Sequence, residues 1–232
     1  MTVFNEWLIF SLILLGIWLA VFLFSGKSKK EMFWTSVFTA PFGLTEPLFV
    51  PEYWNPPSLF NLAANTGFDI ESLIFSFAIG GLGVVLYELF FHVNHNKMSK
   101  HEMHLGRHKW HLPALLSGPV AFIILYFVTS MNPIYSASIA MFIGGIAAVL
   151  CRPDLKKKTL IGGILFLGLY FAFFLSFNFI YPSAVEQFWN LSAISGILFL
   201  GIPIEELLFA FAFGMMWAGV YEHVKWYEFK RR

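Results

Sequence analysis

The sequence predicts an all-α integral membrane protein with seven transmembrane helices. Three observations support this: the composition, the long apolar stretches and the distribution of basic residues. Of the 232 residues, 58% are hydrophobic and only 12% are charged, whereas soluble domains carry about 25% charged residues. This composition is not typical of a disordered chain, a secreted disulfide-linked domain or a nucleic-acid-binding protein. We therefore expect a multi-pass protein of the cell membrane, with no nucleic-acid partner.

A transmembrane helix needs about 20 predominantly apolar residues, and seven stretches meet this requirement. The first lacks a basic leader and a cleavage site, so we interpret it as a span rather than a removed signal peptide. The predicted spans are Val3–Phe24, Met32–Val50, Ile70–Phe91, Leu112–Met131, Pro133–Cys151, Leu160–Tyr181 and Ile197–Val224.

The basic residues predict the orientation of these spans. Cytoplasmic loops of membrane proteins are enriched in Lys and Arg. With seven spans, all 15 basic residues of the chain fall in alternate connections and the C-terminal tail. We therefore expect the N-terminus outside and the C-terminus inside. The four basic groups are Lys27, Lys29 and Lys30; Lys97, Lys100, Arg107 and Lys109; Arg152, Lys156, Lys157 and Lys158; and Lys225, Lys230, Arg231 and Arg232.

The third and seventh spans resemble each other, which indicates an internal repeat. Residues 70–80 align with residues 204–214, and the match resumes without a gap at Tyr87-Glu88 and Tyr221-Glu222. The expected architecture is two parallel three-helix repeats joined by a linker helix (3+1+3). Residues 1–111 form the first repeat with a His-rich loop, residues 112–131 the linker helix, and residues 132–232 the second repeat. Such repeats often place a site between the halves.

Acidic residues inside apolar spans are candidates for function, because burying them in lipid is costly. Four lie near the predicted outer ends of spans: Glu46, Glu71, Glu205 and Glu206. Helix N-termini favour carboxylates, which is a purely structural alternative for the last three. A cluster of carboxyls retains protons at neutral pH and so permits general acid catalysis. Glu88 and Glu222 lie about 25 Å further along their helices, too far away to share this site.

Aromatic residues follow these acids along both helices. Phe75, Phe77, Phe209 and Phe213 are candidates for the substrate-binding surface, because aromatic faces stabilise a developing cation. Most of the 29 Phe residues, however, simply suit lipid and helix packing. Pro203 either starts the seventh helix or kinks it beside the acids.

The segment Pro203-Ile-Glu205-Glu206-Leu-Leu-Phe209 resembles the Pro-x-Glu-Glu-x-x-Phe signature of the integral-membrane lycopene cyclase domain family. The first repeat matches only at Glu71 and Phe75, with Asp69 and Ser72 at the other two positions. The resemblance implies a carotenoid cyclase, an intramolecular lyase or isomerase that closes the ψ-end of a lipophilic polyene into an ionone ring by protonation. It implies catalytic Glu205 and Glu206, with Glu71 as the matching acid of the first repeat, and a substrate surface that includes Pro203 and Phe209. Glu46 joins the expected catalytic residues because it lies near the same outer ends of the spans.

We expect no cofactor and no metal. The cluster Gly80-Gly81-Leu82-Gly83 lies inside a span, so it indicates helix packing rather than a dinucleotide-binding loop. Cys151 is the only cysteine, and six of the seven histidines lie between His92 and His111. Four of these, His101, His104, His108 and His111, have helical spacing that is compatible with a metal site. A single cluster without histidines on a second loop favours instead an amphipathic helix at the lipid surface, with Lys97, Lys100, Arg107 and Lys109 against anionic lipid.

Two other kinds of function stay open at this point. A 3+1+3 arrangement is also known in small-solute and proton-coupled transporters, and a non-catalytic carotenoid-binding subunit would have the same composition. A retinal protein is not expected, because the seventh span has no lysine in its middle. Membrane lipid and a polyene substrate are the expected partners, and the sequence is compatible with a homo-oligomer.

Overall fold

The protein is mainly α-helical, as expected. The structure is a computed structural model that describes residues 5–91, 93, 95–104 and 106–229. The predicted span start at Val3, together with His92 and the basic tail Lys230, Arg231 and Arg232, lies outside these residues. The helices are α1 (Glu6–Phe24), α2 (Lys29–Thr39), α3 (Leu62–Thr66), α4 (Ile70–Phe91), α5 (Lys100–Met103), α6 (His111–Val128), α7 (Pro133–Cys151), α8 (Lys156–Ile180), α9 (Ala184–Phe188), α10 (Ile204–Ala218) and α11 (Val220–Lys225).

Short 3₁₀ turns and strands connect these helices. The 3₁₀ segments are Gly26–Ser28, Ala40–Leu48, Leu59–Asn61, Gly106–Trp110, Pro153–Leu155 and Leu191–Ala193. The strands are β1 (His95–Lys97), β2 (Leu198–Phe199), β3 (Ile202–Pro203) and β4 (Tyr227–Phe229). β1 pairs antiparallel with β4, with His95 opposite Phe229, and β2 pairs antiparallel with β3, with Leu198 opposite Pro203.

Among the described residues, six helices are long and apolar enough to cross a membrane. The predicted spans Ile70–Phe91 and Pro133–Cys151 have the predicted bounds. The predicted second span is not among the six, because α2 ends at Thr39 and the chain continues as a 3₁₀ segment that contains Pro41 and Pro47. The candidate spans are Glu6–Phe24, Ile70–Phe91, His108–Val128, Pro133–Cys151, Pro153–Ile180 and Ile204–Lys225.

The helical spacing of the histidines does not correspond to one helix. α5 ends at Met103 after four residues, and the side chains of Ser99 and Glu102 form a capping box at its start. Gly106–Trp110 is a 3₁₀ turn, and α6 begins only at His111. The expectation of one amphipathic helix through this loop is therefore wrong. His101 and His104 are exposed, whereas His108 is buried.

The chain divides into two compact units, and α4, α7, α8 and α10 each contribute residues to both. Unit 1 comprises residues 1–82, 132–134 and 169–207, and unit 2 comprises residues 83–131, 135–168 and 208–232.

In unit 1, glycines allow α4 to pack closely against its neighbours. A Cβ atom at Gly80 would lie 2.2 Å from Thr39 Oγ1, and one at Gly81 would lie 2.2 Å from Ser36 Oγ. The Trp18 indole N–H donates to the same Ser36 hydroxyl at 2.8 Å. The interpretation of this glycine cluster as helix packing is thus confirmed.

The core of unit 2 contains buried ion pairs. The Lys158 ammonium donates to Glu88 and, at 2.5 Å, to Glu222, and His95 Nε2 lies 2.6 Å from the same Glu222 oxygen. The buried Arg152 guanidinium pairs with Asp154 at 2.6 Å. Arg152 and Lys158, which the sequence analysis assigned to a basic connection between spans, are therefore buried and paired with acidic residues.

Candidate active site

All four predicted acids are buried, and all four belong to unit 1. Glu71 lies in the first turn of α4, and Glu205 and Glu206 lie in the first turn of α10. Glu46 lies in the 3₁₀ segment Ala40–Leu48, where the charges of Asp69 and Glu206 act on it. The structure therefore brings Glu46 and Glu206 within electrostatic range of each other, although they are 160 residues apart in the chain.

A short hairpin sets the position of Glu205 and Glu206. Strands β2 and β3 are joined through Leu200 and Gly201, which both have positive φ angles, of 51° and 79°. This conformation suits a two-residue hairpin and favours glycine. Pro203 ends β3, and α10 begins immediately after it, so Pro203 precedes the helix and does not kink it. The predicted seventh span, which began at Ile197, is correspondingly shorter at its start.

Three hydrogen-bond donors converge on the carboxylate of Glu206. The Tyr53 hydroxyl donates to Oε1 at 2.5 Å, the Trp189 indole N–H donates to Oε1 at 2.8 Å, and the Tyr170 hydroxyl donates to Oε2 at 2.8 Å. All four side chains are buried. Burial and the adjacent Glu206 charge raise the pKa of Tyr53 well above its usual range. Tyr53 therefore keeps its proton and remains a donor over the whole physiological pH range.

Pairing between two loops brings two of these donors together. Trp54 and Trp189 form an isolated antiparallel β-bridge. The Asn55 N–H donates to the Phe188 carbonyl at 2.7 Å, and the Asn190 N–H donates to the Tyr53 carbonyl at 2.8 Å. Tyr53 and Trp189 are thus neighbours through backbone hydrogen bonds, although neither lies in a long helix.

Glu71 and Glu205 are held in similar ways. Glu71 Oε1 accepts from the backbone N–H of Leu59 at 2.6 Å and from the Asn5 side chain at 3.0 Å. Glu205 Oε1 accepts from the backbone N–H of Ser195 at 3.0 Å. Each glutamate thus accepts an N–H from the loop that precedes its own helix. Within the described part of the chain, the second oxygen of Glu71 is buried and makes no hydrogen bond.

A close backbone approach positions Glu46. A Cβ atom at Gly43 would lie 2.6 Å from backbone atoms of Ser72 and Leu73, so the 3₁₀ segment lies directly against the first turn of α4. Asp69 caps this turn, because its Oδ1 accepts from the Ser72 N–H at 2.5 Å. Burial raises the pKa of Asp69 above its usual value.

Aromatic rings surround the carboxylates in unit 1. Phe75, a predicted substrate-binding residue, lies 5.2 Å from Trp7 and 6.3 Å from Tyr170, measured between ring centroids. Trp54 lies 4.7 Å from Trp7 and 5.3 Å from Trp189, so the rings are continuous with the donors of Glu206. We call the set Trp7, Trp54, Phe75, Tyr170 and Trp189 the aromatic wall.

The other predicted aromatic residues have different ring partners. Phe77 packs against Trp18, at 4.9 Å between centroids, and makes no ring contact with the aromatic wall in the described structure. Phe209 and Phe213 belong to unit 2, where Phe213 stacks 4.9 Å from Trp217 and 6.0 Å from Phe209.

The sequence analysis did not identify Tyr53, Tyr170 or Trp189 as site residues. For Tyr170 a signal was present: it is the only tyrosine in a Phe-rich helix, and a buried hydroxyl needs a hydrogen-bond partner. Tyr53 and Trp189 gave no such signal, because aromatic residues are common wherever helices leave a membrane.

The loops that carry Tyr53 and Trp189 also line a pocket of about 590 Å³. Its walls include Val50, Asn55, Gln187 and Phe188, which lie one to three residues away from the two donors in the chain. The pocket lies within unit 1.

The family model described as Lycopene cyclase matches residues 5–90 and 132–224 of the chain. This match covers most of the sequence and includes all four candidate acids and the three donors to Glu206. No curated protein and no solved structure matches the chain.

Proposed function

The chain belongs to the lycopene cyclase family, and on this basis we propose that it is a membrane-integral cyclase that closes an open ψ-end of a lycopene-like carotenoid into an ionone ring. The observation that carries this proposal is the buried Glu206 carboxylate with its three donors and the adjacent aromatic wall. The substrate class follows from the family.

The reaction is an isomerisation, and it requires three things of the protein. A proton adds to the terminal double bond, the resulting carbocation closes on a neighbouring double bond, and a proton leaves to restore a double bond. The proton gained equals the proton lost, so no oxidant or reductant is consumed. The site must supply an acid, stabilise a cation away from water, and provide a base.

We assign the acid and base functions to Glu205 and Glu206. Neighbouring residues on a helix point about 100° apart. Glu205 and Glu206 accordingly have different partners: Glu205 accepts from the Ser195 N–H, and Glu206 accepts from three side chains. Two carboxyls this close do not both ionise readily, so the pair retains a proton. Glu206, which accepts from three donors, is the member equipped to carry negative charge beside the cation.

Glu71 and Glu46 assist this pair. Glu71 is fully buried and lies at the start of α4, and the charge of Glu206 acts directly on Glu46. A further carboxyl near Glu206 makes it less favourable for both to be ionised at once. Glu46 therefore helps to keep one proton available for the substrate.

The aromatic wall stabilises the carbocation. A cation over the face of Trp or Phe is stabilised by about 0.5–2 kcal/mol. Trp54 and Trp189 adjoin each other, and Trp189 also donates to Glu206. The aromatic wall also excludes water, because water would add to the carbocation and form an alcohol.

The finer architecture belongs to the same proposal. Seven spans in a 3+1+3 arrangement, with the N-terminus outside, would place Glu71 and Glu205 at equivalent positions of two repeats. Their matching contacts with backbone N–H groups of the preceding loops support this equivalence. In the proposed arrangement, the 3₁₀ segment Ala40–Leu48 completes the second span after α2.

The experiment is to express the chain in a lycopene-accumulating bacterium and separate the pigments by chromatography. We expect ring-containing carotenoids with the wild-type chain and unconverted lycopene with Glu206→Gln at equal protein level. Lycopene that co-purifies unchanged with the wild-type chain would instead identify a carotenoid-binding subunit and would refute the proposed activity.

A further inference from the structure

Three side chains that commonly ligate metals converge in unit 2, apart from the candidate active site. One ring nitrogen of His108, one ring nitrogen of His111 and the sulfur of Cys151 all lie within 4.8 Å of one another. His108 lies in the 3₁₀ turn Gly106–Trp110, His111 begins α6, and Cys151 ends α7. His108 and Cys151 are buried. The fold thus brings the only cysteine of the chain to two imidazoles that are about 40 residues away in sequence.

The distances fit a tetrahedral ion. With a Zn–S distance of about 2.3 Å and a Zn–N distance of about 2.05 Å, tetrahedral angles place sulfur and nitrogen about 3.6 Å apart. Cys151 Sγ lies 3.7 Å from His108 Nδ1 and 3.8 Å from His111 Nδ1. The Cys151 thiol has a single proton, so it can donate to only one of the two imidazole nitrogens. The other nitrogen must then donate to the sulfur, which is a weak acceptor.

A third imidazole beside this group supplies an independent observation. His223, on α11, is fully buried, and neither of its ring nitrogens makes a hydrogen bond within the described structure. Its ring centroid lies 4.2 Å from that of His111. A buried polar group without a partner costs about 1–3 kcal/mol, so it calls for an unseen partner such as an ion.

The surroundings suit a cation despite the nearby Arg152. Its guanidinium is held by both oxygens of Asp154, at 2.9 and 2.6 Å, and donates to the Tyr227 carbonyl at 2.6 Å. The carboxylate of Asp154 therefore neutralises the positive charge of Arg152. Trp226 stacks on the His111 ring at 3.7 Å, with an interplanar angle of 11°, and so fixes the orientation of this imidazole.

We propose that His108, His111 and Cys151 bind one zinc or copper(I) ion, with His223 as the neighbouring fourth imidazole. Thiolate and imidazole ligands select these ions over Mg²⁺ and Ca²⁺, which prefer oxygen ligands. The ion ties the 3₁₀ turn Gly106–Trp110 to the end of α7. The sequence analysis expected no metal, because the histidines form one cluster and Cys151 is the only cysteine. It did not foresee that the fold brings Cys151 to two of these histidines.

The test uses the full chain, purified in detergent and stripped of metal. Zinc, copper(I) and, as a spectroscopic probe, cobalt(II) are added separately. Bound metal is quantified per chain by mass spectrometry. We expect one equivalent of zinc or copper(I), and a thiolate-to-cobalt charge-transfer absorption band. Cys151→Ser should abolish the band, and both Cys151→Ser and His111→Gln should weaken zinc binding at least about tenfold.

The matched control is a double variant of the exposed histidines in the same loop, His101→Gln with His104→Gln, which should bind zinc like the wild type. Far-UV circular dichroism of the metal-free variants checks that they are folded, and zinc should raise the Tm of the wild type but not that of Cys151→Ser. Less than stoichiometric binding would overturn the proposal. So would zinc binding that persists in Cys151→Ser, or that is lost in the exposed-histidine control.

Discussion

The environment of Glu206 allows a sharp comparison between two substitutions at one position. Glu206→Gln keeps the shape of the side chain. Its amide oxygen can accept from Tyr53 and Trp189, while its NH₂ group faces the Tyr170 hydroxyl, which can accept instead of donating. Each of the three donor side chains keeps a hydrogen bond to this group, although the Tyr170 hydroxyl proton loses its acceptor, so we expect a folded protein. General acid–base catalysis contributes about 10²–10⁴ in rate, equivalent to about 3–5 kcal/mol. Ring formation should fall by that factor.

Glu206→Ala should behave differently, because it leaves three buried donors without an acceptor. At about 1–3 kcal/mol for each unsatisfied group, the cost is about 3–9 kcal/mol, which approaches the whole stability of a typical protein. The alanine variant should therefore fail to accumulate, whereas the glutamine variant accumulates without activity. Chromatography gives the ratio of cyclic to open pigment, and detergent-solubilised protein gives the amount and the Tm.

Glu52→Gln is the matched control, because Glu52 is an exposed carboxylate directly before Tyr53 in the chain. It should retain wild-type pigment conversion. The assignment of Glu206 to proton chemistry would be refuted if Glu206→Gln converted more than about a tenth as much lycopene per folded molecule as the wild type. Equal loss in Glu52→Gln would show that any charge change in this loop is disruptive. Glu205→Gln should also nearly abolish conversion without loss of protein.

Three further predictions follow from the same structure. Tyr53→Phe and Tyr170→Phe each remove one hydrogen bond to Glu206. Because a hydrogen bond to a charged group contributes about 1.5–3 kcal/mol, each variant should lower conversion about ten- to a hundredfold in the pigment assay. Unchanged conversion in both variants would show that these donors do not take part in the mechanism. Lys158→Met removes the ammonium group that pairs with the buried carboxylates of Glu88 and Glu222. It should destabilise the protein by about 3–5 kcal/mol and lower its Tm in detergent, while pigment conversion per folded molecule is retained. A Tm equal to that of the wild type would contradict the structural role of this cluster. Reporter fusions in the loop 98–104 should lie in the cytoplasm and N-terminal fusions outside, and the reverse pattern would overturn the proposed orientation.

The sequence predicted the helices well where hydrophobicity alone decides the structure. α4 and α7 have the predicted bounds, because each is a continuous apolar run. The second and seventh spans differ from their predicted bounds, because hydropathy carries no information about backbone conformation. Pro41 and Pro47 lie in a 3₁₀ segment, and the left-handed Leu200-Gly201 turn makes a hairpin out of residues that are apolar enough for a span.

The site was only partly predictable, for a similar reason. A carboxylate in an apolar segment is conspicuous, so Glu46, Glu71, Glu205 and Glu206 could be identified from the sequence. Tyr53 and Trp189 become neighbours only through the pairing of two loops, and no local pattern encodes that pairing. The contact of Cys151 with His108 and His111 likewise depends on the fold and could not be predicted from the sequence.

The two acid-bearing turns each begin a long helix, but they differ in chemistry. In the proposed repeat Glu71 and Glu205 are equivalent, but the next residue is Ser72 in α4 and Glu206 in α10. Within the described residues, three side-chain donors converge on one carboxylate of this cluster, Glu206. A second charged carboxylate there would add like-charge repulsion in a buried site. One acid–base pair, Glu205 with Glu206, implies that one ψ-end is closed in each binding event. If the chain also closes the second end, the polyene must leave and rebind in the opposite direction, so a time course should show the monocyclic carotenoid before any bicyclic product. Bicyclic product that appears without a monocyclic intermediate would mean that both ends react in one binding event, and would contradict a single acid–base pair.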